Sequence, residues 1–132
     1  MKIAIIYSDY YKEVCDGLMK GVKGAAEDKG VEFVEFKAPG SFEIPLKIKQ
    51  VAVDNSFDGF IALGCVVQGE THHHDLINFS VAQALMDLSL ELMKPVGFGI
   101  LTTKNYEQAL ERSVGSKNKG KEVFEAVFEM LS

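Results

Sequence analysis

Apolar positions follow two rhythms along this chain. Compact apolar runs at Lys2 to Tyr7 and Gly59 to Val67 read as buried strands, and Val31 to Phe36 and Val96 to Leu101 read as two further strands. Between them, apolar residues recur every three or four positions, the spacing of a helix that buries one face. Val14, Leu18, Val22, Ala25 and Ala26 predict a first helix, capped by Ser8 or Asp9 and closed at Gly30. A second is predicted over Pro45 to Val53, with the proline tolerated in its first turn. The longest runs from Leu76 to Met93, placing Leu76, Phe79, Ala82, Leu85, Met86, Leu88 and Leu92 near one stripe, and Lys94-Pro95 ends it. Thr102 or Thr103 is the expected cap of a short helix through Arg112. A Gly/Lys/Asn loop then leads to a final helix.

Strands that alternate with helices imply a parallel sheet covered on both faces. The expected fold is therefore α/β: a three-layer α/β/α sandwich around a four-stranded parallel sheet, with flavodoxin-like winding. The fourth strand is expected at an edge. Ligands of such folds sit beyond the carboxyl ends of the strands. Function is to be sought in the segments 8–11, 37–42, 68–75 and 102–105.

Length and charge narrow the class. A chain of 132 residues suits one domain and needs no disulfide staple. Its two cysteines, Cys15 and Cys65, read as free thiols of a cytoplasmic protein. A formal net charge of -5 argues against nucleic acid or an anionic membrane as partner. No apolar run approaches the ~20 residues of a membrane span. The N-terminus runs into a strand without the segments of a signal peptide.

The loops hold the unusual residues. In Asp9-Tyr10-Tyr11, a helix cap with two packed tyrosines competes with an aromatic face for a planar ring. In Pro39 to Pro45, Ser41 as cap and Glu43 in a first helical turn is the simpler account; a carboxylate for hydroxyl or amide groups is the functional one. The segment Gly64 to Asp75 (GCVVQGETHHHD) says most. Gly69 admits a ligand close to the backbone, and the amides of Glu70 and Thr71 precede a long helix, an arrangement suited to an anion. Three adjacent histidines suggest metal, but successive side chains diverge, so no metal site is expected. One histidine acting as acid and base is preferred. In Val96 to Ile100, the glycines around Phe98 suit either a closely packed helix or an aromatic shown at an edge or interface. Arg112 and Lys119 bracket a loop, as solvated charges or as a pair for phosphate.

Three segments in this order, GCVVQGETHHHD, PGSFEIP (Pro39 to Pro45) and FGILTTKNYEQALER (Phe98 to Arg112), resemble the lumazine synthase family over nearly the whole chain. The resemblance implies an enzyme of riboflavin biosynthesis. Its reaction joins 5-amino-6-(D-ribitylamino)uracil to 3,4-dihydroxy-2-butanone 4-phosphate, giving 6,7-dimethyl-8-ribityllumazine, phosphate and water. It implies Tyr10 over the pyrimidine, with Ser41, Phe42 and Glu43 on the ribityl chain and ring. The backbone of Cys65, Val66 and Val67 would read the uracil edge, and Phe98 would touch the ring. Glu70, Thr71, Arg112 and Lys119 would hold the butanone phosphate, and His73 would move protons. No redox step occurs, so no cofactor is implied. The partners implied are the two small substrates and further copies of the chain, in a pentamer or a multiple of one. Phe98 and Arg112 would then reach into a neighbour's pocket. Cys65 stands where the family more often has a hydroxyl residue, and Gln68 where a basic one is frequent.

Three other readings compete. An archaeal-type riboflavin synthase shares the fold but binds two lumazines and expels no phosphate, so the phosphate set disfavours it. A non-catalytic flavin or lumazine carrier is disfavoured by His73 and Arg112. A response-regulator receiver domain needs an aspartate at the end of the third strand, where this chain has Gly64-Cys65-Val66.

Overall fold

A computed structural model describes residues 1–68 and 73–132. Four strands, β1 (Lys2–Tyr7), β2 (Glu32–Lys37), β3 (Gly59–Val67) and β4 (Val96–Thr103), form one all-parallel sheet in the order β2-β1-β3-β4. Alternate residues of each strand face opposite sides. Ile3, Ile5, Ile61, Leu63 and Leu101 pack under α1 (Lys12–Asp28) and α5 (Lys119–Leu131). Ala4, Ile6, Phe60, Ala62 and Ile100 pack under α2 (Ile44–Val51) and α3 (His73–Leu92). A short α4 (Tyr106–Glu111) sits beside the first group, through Ala109. This is the expected flavodoxin-like sandwich. Salt bridges among the described residues, such as Lys49–Glu91, lie at the surface, where such a pair is worth about 0–1 kcal/mol. A fully buried Phe60 or Ile5 contributes about 1.5–3 kcal/mol, so the two apolar layers hold the fold.

β1 and β3 have the expected bounds. Three local expectations are corrected. Neither Ser8 nor Asp9 caps α1. Its N-cap is Tyr11, without a side-chain bond; the Ser8 amide extends the sheet by donating to the Leu63 carbonyl, and Asp9 pairs with Lys37 at 3.2 Å. Thr102 and Thr103 continue β4, and Asn105 caps α4 instead, accepting from the Gln108 amide at 2.9 Å. On α3 the buried stripe is Val81, Leu85 and Leu88, with Ile77 and Leu92 packed beside it. Leu76, Phe79 and Met86 are exposed on another side of the same helix. The helix is apolar on two faces, which a single-stripe reading merges.

β4 is an edge strand, as expected. Its glycines serve the helix side: a Cβ on Gly97 would collide with Val123 and Val127 of α5. Phe98 points to the α3 side, like Ile100, and stays 37% exposed. The glycines thus admit a closely packed helix on one face of the strand, and Phe98 stands at the sheet edge on the other.

Candidate active site

The winding changes direction between β1 and β3. The chain leaves β1 for β2 on one side, then crosses to β3 and β4 on the other. Such a switch point opens a crevice at the carboxyl ends of the strands. Here β3 outruns β1. Its last partner on that side is Leu63, opposite Tyr7, whereas its pairing with β4 continues to Val67. One side of Cys65 to Val67 therefore borders open space rather than a strand. A cleft of about 400 Å³ lies there.

Two loops, the end of β3 and one helix wall the cleft. From the loop after β1 come Ser8, Tyr10 and Tyr11; from the segment after β2 come Gly40, Ser41, Phe42 and Glu43. Cys65, Val66 and Val67 form its floor, and Ile77 of α3 closes one end. All seven residues assigned to the pyrimidine from these loops and this strand end, Tyr10, Ser41, Phe42, Glu43, Cys65, Val66 and Val67, are thus brought together.

Local structure explains the placement. Ser41 to Glu43 form a single 3-10 turn leading into α2, with Pro45 in the first turn of that helix. The turn stands against β3 because residue 64 is glycine: the Ser41 hydroxyl lies 2.8 Å from where a Cβ would be. Ser41 is not the cap; Gly40 holds that position, in extended backbone, and makes no side-chain bond. Glu43 folds back, its Oε1 3.0 Å from where a Cβ on Gly40 would lie. Tyr10 is 79% exposed and Phe42 64%, so two aromatic faces overhang the cleft without packing into the core. Tyr10 meets Tyr11 edge-on at 5.0 Å, and Tyr11 leans on Tyr106 at 5.8 Å, which anchors the loop.

Two titratable groups of the cleft, Cys65 and Tyr11, are shifted by their surroundings. Burial pushes the Cys65 thiol up to about 11. Burial, followed by the nearby Cys65 and Tyr10, raises the Tyr11 phenol. Neither group is a nucleophile there.

A second hollow of about 730 Å³ runs along the outer edge of the sheet. It collects Phe98, Arg112, Lys117 and Lys119 with one carboxylate, Glu122. Lys119 Nζ lies 3.1 Å from Glu122 Oε1. Phe98, Arg112 and Lys119 are therefore together, but they line this hollow and not the cleft. Glu70 and Thr71 lie outside the described residues, as do Gly69 and His72. His73 is the first residue of α3, and its side chain is likewise outside them.

Sequence reasoning left Ser8, Gly40 and Ile77 out of the cleft, and Lys117 out of the second hollow. Tyr11 stood in the loop that was singled out, but only Tyr10 was assigned. Ile77 carries no signal beyond its helical period. Lys117 sits in the basic loop between Arg112 and Lys119, where each lysine looks alike in sequence.

Fold and cleft together define a class: a flavodoxin-like α/β protein with a space of small-molecule size at the switch point of its sheet. A solved fragment from Peptoclostridium difficile 630, described as a lipoprotein, shares the fold alone, with a TM-score of 0.54 at 12% identity over 99% of this chain and 98% of that one. The family profile described as 6,7-dimethyl-8-ribityllumazine synthase matches residues 1–132. Proteins of that name are 38% identical in Methylorubrum extorquens (99% of this chain, 79% of the relative), Limosilactobacillus reuteri (99% and 88%) and Agrobacterium fabrum (98% and 91%). The chain belongs to the 6,7-dimethyl-8-ribityllumazine synthase family.

Proposed function

We propose that residues 1–132 form one lumazine synthase domain, a transferase that condenses 5-amino-6-(D-ribitylamino)uracil with 3,4-dihydroxy-2-butanone 4-phosphate to 6,7-dimethyl-8-ribityllumazine. The observation that carries the reading is the convergence of Tyr10, Ser41, Phe42, Glu43 and the end of β3 on one cleft, in a chain of this family. Aromatic faces at Tyr10 and Phe42 suit a planar pyrimidine. Peptide groups of Cys65 to Val67 suit the donor and acceptor edge of a uracil. Ser41 and Glu43 suit the hydroxyls of the ribityl chain.

The reaction needs two reactive molecules held in register. An amine of the pyrimidine attacks the ketone and water leaves as the imine forms. Phosphate is then eliminated, and the second amine closes the ring with loss of water. Alignment of this kind supplies several kcal/mol of the barrier. His73 is assigned the proton transfers, and Glu70, Thr71, Arg112 and Lys119 the phosphate.

The two hollows of one chain are read as halves of a site shared between copies, with Phe98, Arg112 and Lys119 of one subunit serving the Tyr10 and Glu43 cleft of the next. The assembly is a homopentamer or a multiple of one. Two features support association. β4 is an edge strand with Phe98 partly exposed. On α3, Leu76, Phe79, Met86 and Leu90 are exposed at spacings of three and four, with Gln83 filling the gap, and Met93 just beyond the helix is exposed as well. That is the spacing of a helix that packs against its like. The free thiols Cys15 and Cys65 support a cytoplasmic location. No helix among the described residues is long and apolar enough to cross a membrane.

The test supplies both substrates and follows fluorescent lumazine together with released phosphate, expected in equal amounts. Supplying the lumazine alone provides the counter-test. Riboflavin formed from it, with no product from the two substrates, establishes the riboflavin synthase reading instead.

A further inference from the structure

Arg112 and Lys119 stand at the two ends of a loop, and charge alone does not bring both to one hollow. The loop is closed at its base by the Lys119 amide, which donates to the Arg112 carbonyl at 2.8 Å. Its interior is held by one side chain. Asn118 is only 9% exposed and makes four hydrogen bonds. Its Oδ1 accepts from the Gly120 amide at 2.8 Å and the Lys121 amide at 3.2 Å, which caps α5. Its Nδ2 donates to the Ser113 carbonyl at 2.9 Å, within the loop, and to the Gly17 carbonyl at 2.9 Å, across on α1. The amide group is therefore saturated, and it ties α1, the loop and α5 at one point.

α1 is shaped to receive it. A Cβ on Gly17 would strike the Ser113 carbonyl, and one on Gly21 would strike the Asn118 amide. Gly24, on the same helix, has open space around it. Buried amides with every donor and acceptor used fix geometry tightly, because any displacement leaves a polar group unpaired.

We propose that Asn118 is a positioning residue for phosphate recognition: by locking the 112–119 loop onto α1, it holds Arg112 and Lys119 at the spacing one phosphate group requires. The inference rests on the assignment of those two cations to the butanone phosphate. Asparagine is the residue type this demands. Serine or aspartate caps a helix as well, but neither donates two hydrogen bonds to carbonyl groups on opposite sides.

Asn118→Ser and Asn118→Asp both keep the cap and lose the bonds to Gly17 and Ser113. Gly17→Ala disturbs the same lock from α1 with every polar group retained, and Gly24→Ala is the control. The expected result is a rise of about tenfold in KM for the butanone phosphate, on the order of one lost charge-assisted contact, in the two Asn118 variants and in Gly17→Ala. KM for the pyrimidine should move by less than about twofold, and Gly24→Ala should match the parent protein. Far-UV circular dichroism establishes that each variant is folded. Folded variants with KM for the phosphate substrate unchanged overturn the inference. So does equal damage to both substrates, or loss of the fold in all three, since the network would then hold the core and not the cations. Arg112→Ala, measured alongside, separates this from the underlying assignment. If its own effect is not selective for the phosphate substrate, that assignment is what fails.

Discussion

The side chains of the two hollows divide into those that offer surface and those that carry charge, and the two kinds predict different losses. Arg112→Ala removes a guanidinium from the second hollow, so KM for the butanone phosphate should rise far more than KM for the pyrimidine. Steady-state kinetics with each substrate varied in turn read this, and equal effects would reject the assignment. His73→Ala should slow turnover by about a hundredfold, the low end of what a positioned acid or base contributes, because alignment of the substrates survives. His72→Ala and His74→Ala should do less; the greatest loss at His74 would show that the proton carrier is another histidine.

The thiols make a prediction of opposite character. Burial raises Cys65 to about 11 and Cys15 to about 12, against an ordinary 9.0. Raised values mean that folding favours the protonated form. That stabilisation is fully present below about pH 9 and is lost as pH rises through 11 to 12. Thermal unfolding should therefore fall with pH more steeply in the parent protein than in a Cys15→Ala, Cys65→Ala double variant. Identical slopes between pH 9 and 11 would contradict it.

At the scale of elements, the sheet edge depends on glycine where a helix comes close. Gly97→Ala places a methyl against Val123 and Val127 of α5 and should cost about 1–3 kcal/mol by overpacking. Gly24→Ala fills open space in the exposed middle of α1 and should stabilise by about 0.5–1 kcal/mol, from helix propensity. Urea unfolding of the two variants reads both signs; a neutral Gly97→Ala would mean that α5 shifts freely on the sheet. The same comparison explains which elements could be read in advance. β1 and β3 are continuous apolar runs with polar or turn residues at their ends, so their bounds follow from local chemistry. The caps of α1 and α4 did not follow, because Ser8 and Thr103 satisfy sheet and loop partners that lie far away or in competing positions.

For the whole molecule, the separation of the two hollows matters most. If each belongs to a shared site, inactive variants should complement one another. A chain with Glu43 and His73 both replaced and a chain with Phe98 and Arg112 both replaced should each be nearly inactive. Co-assembled in equal amounts, about a quarter of the interfaces in a closed ring join two intact halves, and activity should return towards that fraction. A mixed assembly, shown by mass to contain both chains, that stays inactive would assign the whole site to one subunit. The α3 seam makes its own prediction. Phe79→Lys with Leu90→Lys sets charge on two exposed apolar positions and should reduce the particle size seen by light scattering, without loss of helix signal.

Element order and type, the parallel sheet and the loops that hold the site are legible along the chain, because strand runs and helix periods are local patterns set by burial. So are the candidate residues, through three motifs in one order. It takes the packed fold to show that Tyr10, Ser41, Phe42, Glu43 and Cys65 to Val67 share one cleft while Phe98, Arg112 and Lys119 line another. That fold alone separates the buried face of α3 from the exposed one, and gives Asn118 its four partners. The reason is distance along the chain. Asn118 meets Gly17 across 101 residues, and a contact of that span depends on how two helices pack against a common sheet, which no local period encodes.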